Sequence, residues 1–122
     1  MALTKAAVTI LASTTAAAGT SKASPGATGS SIDVRAYYGG ELTWKITNGS
    51  APGVAATFLF QSSQDGTNWY DYHQAGGNTT ASDVTSGTVQ LGRGIMYIRA
   101  IAYGNTTNSV TVEAYLQAVT AL

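Results

Sequence analysis

Residues 58–69, with the sequence FLFQSSQDGTNW, constrain the fold more than any other part of the chain. Phe58 and Phe60 share one face of an apolar strand, and a polar Ser/Gln step follows them. The pair Asp65-Gly66 comes next, and Trp69 starts a second strand. Apolar alternation followed by Asp-Gly is the strongest short-range signal of a β-hairpin. The segment therefore predicts an all-β protein.

Similar short segments follow one another along the rest of the chain. The predicted strands cover residues 5–13, 32–38, 41–47, 54–62, 69–74, 88–91, 95–103 and 110–119. Turn signals such as Gly39-Gly40 separate them, and no segment has a convincing helical period. Seven to eight short strands with turns about every ten residues indicate an antiparallel β-sandwich, either immunoglobulin-like or jelly-roll-like.

A second pattern supports a sandwich. The sequence LGRGIMY at residues 91–97 has the Leu-x-x-Gly-x-x-Tyr spacing of a tyrosine corner. In that arrangement the hydroxyl of a Tyr near the start of a strand bonds to backbone upstream and fastens the crossing between two sheets. The pattern predicts this role for Tyr97.

The N-terminal part of the chain is divided from the rest by composition. Residues 14–30 are Ala, Gly, Ser and Thr with single Lys and Pro residues, and they show no apolar period. Fully extended, they would span up to about 60 Å. We therefore expect an N-terminal strand and extended, flexible arm over residues 1–30 and a sandwich body over 31–122. A surface loop is the alternative for residues 14–30, and a weak signal peptide is an alternative for the first apolar run.

Composition limits the classes of function. The 122 residues fit one domain and include no Cys, which excludes disulfides and thiolate chemistry. Six basic and six acidic side chains cancel, which argues against nucleic acid as a partner. No apolar run is long enough to span a membrane. A surface with so little charge favours a protein that packs into an assembly.

Candidate chemical sites are few. Asp65, Asn68 and Asp71 could offer oxygen ligands to Ca²⁺, but the spacing is not that of a known calcium loop, and Asp65 is expected to support its own turn. His73 has no nucleophile motif to serve, and the carboxylates are scattered along the chain. We therefore predict no enzymatic activity, no cofactor and no metal.

The aromatic residues are the better candidates for function. Neighbouring residues on a strand face opposite sides, so Tyr37-Tyr38 and Trp69-Tyr70 must each place one ring outside the core. Exposed Tyr and Trp are typical interface anchors. The predicted interface residues are Tyr37, Tyr38, Trp69, Tyr70, Tyr72, Val8, Ile10 and Leu11. Trp44, in register with Leu42 and Ile46, is expected in the core.

Four segments, in this order, carry a resemblance. They are LAS at 11–13 with GSSIDV at 29–34, TFLFQSSQDGTNWYD at 57–71, YIRA at 97–100 and SVTV at 109–112. The chain resembles small phage virion β-sandwich proteins, most of all capsid decoration (cement) proteins. The resemblance implies a structural protein of the capsid surface that binds the major capsid protein and forms a homo-oligomer, a trimer rather than a dimer. Proteins of this kind commonly clasp neighbouring subunits with a terminal arm.

Other functions stay open, because fold does not determine function. The main alternative is a tail-associated or receptor- or carbohydrate-binding module that uses exposed aromatic rings. A hydrolase would require a clustered acid/base pair that the sequence does not show.

Overall fold

A computed structural model describes residues 3–122 of the chain and confirms the all-β class. Within that range it contains nine strands and no helix. They are β1 (Thr4–Ala16), β2 (Ala27–Thr28), β3 (Ile32–Asp33), β4 (Gly40–Asn48), β5 (Thr57–Ser63), β6 (Tyr70–Gly76), β7 (Val84–Leu91), β8 (Tyr97–Tyr103) and β9 (Val110–Ala121). No helix that could cross a membrane is therefore found in residues 3–122.

The strands form two antiparallel sheets. The first sheet has the order β1-β9-β4-β7, and the second has the order β2-β8-β5-β6, with β3 also paired to β8. Because β2 and β3 pair with successive parts of β8, they occupy one strand position. Strands from the two halves of the chain then pair in nested fashion: β1 with β9, β2 and β3 with β8, β4 with β7, β5 with β6. This is the jelly-roll order, one of the two topologies that the sequence predicts.

The core lies between the sheets and follows the predicted alternation. On β4, Leu42, Trp44 and Ile46 are buried, and the inward residues of β9 from Val110 to Leu116 meet them. The ring of Trp44 stacks on Phe58 of the opposite sheet at a centroid distance of 6.0 Å. The expected core position of Trp44 is thus confirmed.

The Asp65-Gly66 turn joins β5 and β6 as predicted. The Asp65 Oδ1 atom accepts hydrogen bonds from the backbone N–H groups of Thr67 and Asn68, both at 2.9 Å. Gly66 has φ +78°, a conformation that favours glycine. Asp65 therefore supports its own turn. The sequence favoured this role over that of a Ca²⁺ ligand.

The N-terminal strand belongs to the sandwich. β1 pairs with β9 from Thr4↔Ala121 to Ala16↔Val110, with bulges along the way. Ile10, Leu11 and Ala16 are buried in the common core. This placement differs from an arm that leaves the body, because β1 covers one edge of the core. Residues 1 and 2 of the predicted arm lie outside the described residues.

The segment after β1 returns to the body instead of extending from it. The Gly19 N–H donates to the Asn105 carbonyl at 2.8 Å, and the Gly26 N–H donates to the Ala102 carbonyl at 2.9 Å. Between these anchors, the Lys22 ammonium reaches Asp71 on β6. Residues 17–26 therefore form a surface loop against the second sheet, the alternative weighed for this segment.

The strand predicted over residues 32–38 is shorter than expected. β3 ends at Asp33, whose carboxylate accepts hydrogen bonds from the backbone N–H of Arg35 at 3.0 Å and from its guanidinium. The Tyr37 N–H then donates to the Val34 carbonyl at 3.1 Å. Local side-chain bonding of this kind competes with strand pairing, so the chain turns toward β4.

The tie between sheets predicted for Tyr97 is made by a different tyrosine. The Tyr72 hydroxyl on β6 donates to the Gln90 carbonyl at 2.6 Å and accepts from the Gly92 N–H at 3.1 Å. Gln90 belongs to β7 in the first sheet, so this phenol joins the two sheets. The Tyr97 ring instead lies beneath the Arg35 guanidinium, 5.0 Å from it. The prediction that Tyr97 ties the two sheets together was therefore wrong, because Tyr72 forms these hydrogen bonds.

Candidate functional site

Exposed apolar side chains concentrate at one end of the sandwich. The large exposed hydrophobic residues of the described chain are Leu3, Tyr38, Val54, Tyr70, Val84, Met96 and Leu122. Strand direction places five of them at the same end of the two sheets: Thr4 pairs with Ala121 and Gly40 with Leu91 in the first sheet, and Ser62 pairs with Tyr70 in the second. We call the end formed by Leu3, Tyr38, Tyr70, Met96 and Leu122 the apolar end. Val54 and Val84 lie at the opposite end.

A groove of about 630 Å³ opens at the apolar end. Leu3, Tyr38 and Val119 supply its apolar lining, and Lys5, Glu41 and Arg93 place charges at it. Neither Lys5 nor Arg93 forms an ion pair within residues 3–122. The groove therefore combines apolar surface with charged groups that are free to meet a partner.

Gly40 shapes one wall of this groove. Its φ is +150°, and a Cβ there would collide with the Gln117 carbonyl oxygen of β9. Only glycine has the backbone freedom and the lack of a side chain that this approach requires. The start of β4 can thus lie close to β9.

The loop at residues 92–96 separates this groove from a smaller cavity of about 200 Å³. Tyr70, Ile95 and Met96 line the smaller cavity together with Ser62 and Ser63. Tyr70 is 58% exposed and Met96 is 45% exposed. The 92–96 loop therefore borders both the groove and the smaller cavity.

A polar network lies beside this end, on the outer face of the second sheet. The Arg99 guanidinium lies 4.6 Å from the centre of the Trp69 ring, and its Nε–H donates to Gln61 Oε1 at 2.9 Å. Gln61 in turn donates to Asp71 Oδ1 at 3.2 Å. The hydrogen bond from Lys22, the largest cause, and that from Gln61 lower the pKa of Asp71. The Trp69 ring is half-buried, and the Arg99 guanidinium packs on one of its faces.

The predicted interface residues divide into three groups. Tyr38 and Tyr70 are exposed at the apolar end, 45% and 58% respectively. Four residues are half-buried: Tyr37, Trp69, Tyr72 and Val8. Ile10 and Leu11 are 2% and 7% exposed. The expected interface role of Ile10 and Leu11 was therefore wrong, because the bulge in β1 turns both side chains into the core.

The residues weighed as calcium ligands do not form one site. Asp65 bonds within its own turn, and hydrogen bonds from the N–H groups of Asn68 and Thr67 hold the pKa of its carboxyl well below its usual range. Asp71 faces Lys22 and Gln61 instead. In the part of the chain that the structure describes, no group of three His, Cys, Asp or Glu side chains could hold a metal ion.

Sequence reasoning missed several residues of this surface. Leu3, Met96 and Leu122 lie next to turns or chain ends, where no periodic pattern assigns a face. Arg99 had a usable signal, since alternation with the buried Ile98 and Ala100 places it on the outer face of β8. Its stacking on Trp69 depends on the pairing of β5 with both β6 and β8, which local patterns do not show.

Comparison with solved structures shows a shared fold. No protein-family model matches the chain, and no curated protein matches it. The crystal structure of SPBc2 prophage-derived protein YomS is similar to this chain at a TM-score of 0.50 and 16% sequence identity, over 96% of each chain. At this identity the similarity shows a shared fold over nearly the whole chain.

Proposed function

We propose that this chain is a non-enzymatic virion structural protein that decorates a phage capsid and binds across its subunits. The observation that carries the proposal is the apolar end, where five of the seven large exposed hydrophobic residues gather. A fold relative that comes from a prophage supports a phage origin for this chain as well. The major capsid protein is the proposed partner, and the capsid surface is the proposed location.

The apolar end has the composition of a docking surface. Tyr and Met are enriched in protein interfaces relative to the rest of the protein surface. Tyr38, Tyr70 and Met96 are all exposed at this end. A concentration of exposed apolar side chains is typical of interaction sites, and five of them lie at this end of the sandwich. An interface of about 1,600 Å² in total would be sufficient for stable attachment. Attachment at a joint between subunits would resist their separation.

Self-association is part of the proposal. Decoration proteins of the kind this chain resembles form oligomers, and we propose a homotrimer in preference to a dimer. The low total charge, with six basic and six acidic residues, supports close packing of copies because little repulsion opposes it. Light scattering of the purified chain measures the mass directly, and a monomer at all concentrations would remove this part of the proposal.

The central experiment is a binding assay with capsids of the encoding phage or prophage, assembled without this chain. We expect the purified chain to sediment with them and to raise their melting temperature. The double variant Tyr38→Ser/Tyr70→Ser should lose at least tenfold in affinity. The matched control, Val54→Ser/Val84→Ser, changes two exposed residues at the opposite end and should bind as the wild type does.

Two results would contradict the proposal. The wild-type chain could fail to bind capsids, or the control could lose as much affinity as the tyrosine variant. Circular dichroism melting of both variants shows whether each is folded, so that loss of binding is not confused with loss of structure.

A tail-associated or carbohydrate-binding module is the second candidate. Tyr70 favours it, because this exposed ring borders the cavity beside Met96 and could stack on a sugar. Titration with neutral oligosaccharides at millimolar concentration, followed by NMR shifts of Tyr70 and its neighbours, tests this function. A saturable shift that Tyr70→Ser removes would support it over decoration.

A further inference from the structure

Arg99 has no acidic partner in the part of the chain that the structure describes. The Arg99 Nε–H donates to the neutral Gln61 Oε1 at 2.9 Å. No carboxylate lies within ion-pair distance of Arg99 in residues 3–122. Its two terminal nitrogens have no hydrogen-bond partner in the same range and are not buried, so they stay open to solvent.

The environment of Arg99 holds its guanidinium in one place. The Trp69 ring packs on it at 4.6 Å, and Gln61, 5% exposed, fixes the Nε side. Burial lowers the pKa of Arg99, and no neighbouring charge contributes to that shift. Partial burial removes some of the hydration of this charge, and no carboxylate neutralises it within residues 3–122. An anion at the open terminal nitrogens would offset part of that loss.

The other basic residues differ from Arg99. Lys22, Arg35 and Lys45 each pair with a carboxylate. Lys5 and Arg93 also lack one, but they are exposed and no aromatic ring stacks on them among the described residues. Arg99 alone in this set combines an open guanidinium with a fixed orientation.

We propose that Arg99, held between Trp69 and Gln61, is a binding site for a carboxylate monoanion. A guanidinium presents a planar fork that matches the two oxygens of a carboxylate. A phosphate dianion fits less well, because no second unpaired cation lies beside Arg99 among residues 3–122 and the acidic Asp71 lies on the far side of Gln61. The site belongs to the free chain, so it does not depend on attachment to a capsid.

The test is an NMR titration of the full chain with sodium acetate at constant ionic strength, with sodium chloride as the balancing salt. We expect saturable shifts of the Arg99 Nε–H and Trp69 Nε1–H signals. Acetamide, which has the same shape without the charge, should leave both unchanged. Two further arms, N-acetylglutamate N-methylamide and glucuronate, distinguish a peptide carboxylate from a sugar carboxylate by their relative affinity.

Variants separate the site from general charge effects. Arg99→Gln should abolish the acetate-dependent shift of Trp69, whereas Arg93→Gln, which removes an unpaired but unstacked arginine, should retain it. The proposal is overturned if acetate causes no saturable shift, if chloride causes the same shift, or if Arg99→Gln responds as the wild type does. Because no capsid is used, failure here leaves the capsid-binding experiment unaffected.

Discussion

The indole of Trp44 lies directly against the backbone of Gly87, its partner in the β4–β7 ladder. A Cβ at residue 87 would lie 2.7 Å from Trp44 Cζ2 and 2.9 Å from Nε1. The ring therefore occupies the space that a side chain on β7 would need. Trp44 can stack on Phe58 of the second sheet only because residue 87 has no side chain.

Gly87→Ala should destabilise the fold by about 1–3 kcal/mol, because a methyl group at this place overpacks a rigid ring. Chemical denaturation measures the change. Gly76→Ala is the control, since a Cβ there meets nothing within 4 Å, and it should be neutral or slightly stabilising. In a Trp44→Phe background the penalty of Gly87→Ala should shrink. Equal effects of the two alanine variants would refute the packing argument.

Trp44→Ala should cost about 3–5 kcal/mol, because it empties a large volume in the centre of the sandwich. The side chain is 8% exposed and contacts the Phe58–Phe60 pair through Phe58. Thermal melting followed by circular dichroism measures the loss. A melting temperature unchanged within error would mean that the ring lies outside the core.

Tyr72→Phe should lower the free energy of unfolding by about 0.5–1.5 kcal/mol, because it removes both hydrogen bonds of the Tyr72 hydroxyl, to the Gln90 carbonyl and from the Gly92 N–H. Tyr97→Phe is the matched control: no hydrogen bond of the Tyr97 hydroxyl occurs in residues 3–122, so it should change stability by less than about 0.5 kcal/mol. The reverse result would restore the tyrosine corner to Tyr97.

Tyr72 and Tyr97 show that local sequence patterns predict strands and hairpins but not contacts between the two sheets. Strand periodicity predicts the inward face of β4 and the β5–β6 hairpin, because both depend on residues close together in the chain. The bond from Tyr72 to Gln90 crosses the sandwich between residues 18 positions apart. No spacing rule relates them, since the contact exists only once the sheets have packed.

The apolar end was likewise only partly predictable from the sequence. The sequence predicts that one ring of Tyr37-Tyr38 and one ring of Trp69-Tyr70 lie outside the core, because successive side chains face opposite sides. The structure shows that Tyr38 and Tyr70 are the exposed rings. Their proximity to Leu3, Met96 and Leu122 follows from strand order and direction, which bring distant turns to one end. A one-dimensional pattern identifies exposed rings but not the surface that they form together.

Asp33 should titrate at an unusually low pH. The hydrogen bonds from the Arg35 side chain, the largest cause, and from its backbone N–H lower the pKa of Asp33 from 3.8 to about 2. Because the folded pKa lies below the unfolded one, the stabilising contribution is complete above about pH 4 and is lost as the pH falls toward 2. NMR titration of the Asp33 carboxyl carbon measures the midpoint.

Arg35→Gln provides the control for that titration. Without the guanidinium, the midpoint of Asp33 should move up toward 3.8, and the backbone N–H bond should keep it somewhat below that value. A wild-type midpoint near 3.8 would show that the Asp33–Arg35 pair does not persist in solution.

Removal of residues 1–30 distinguishes an arm from a strand of the body. A chain that starts at Ser31 lacks β1 and β2, and with them Ile10, Leu11 and Ala16 of the core. β9 would then become an edge strand, and the core beside it would be exposed where the side chains of β1 had covered it. We expect this truncated chain to aggregate and to show no cooperative unfolding transition, because one side of a small core is missing.

A chain that starts at Thr4 is the matched control for this truncation. It keeps all of β1 and should melt as the full chain does. The outcome that supports an arm is a Ser31 chain with a well-dispersed amide spectrum and a sharp melting transition. In that case β1 would be a detachable strand, and its exchange between neighbouring copies could build the proposed oligomer. Loss of the fold would instead place self-association and capsid binding on surfaces such as the apolar end.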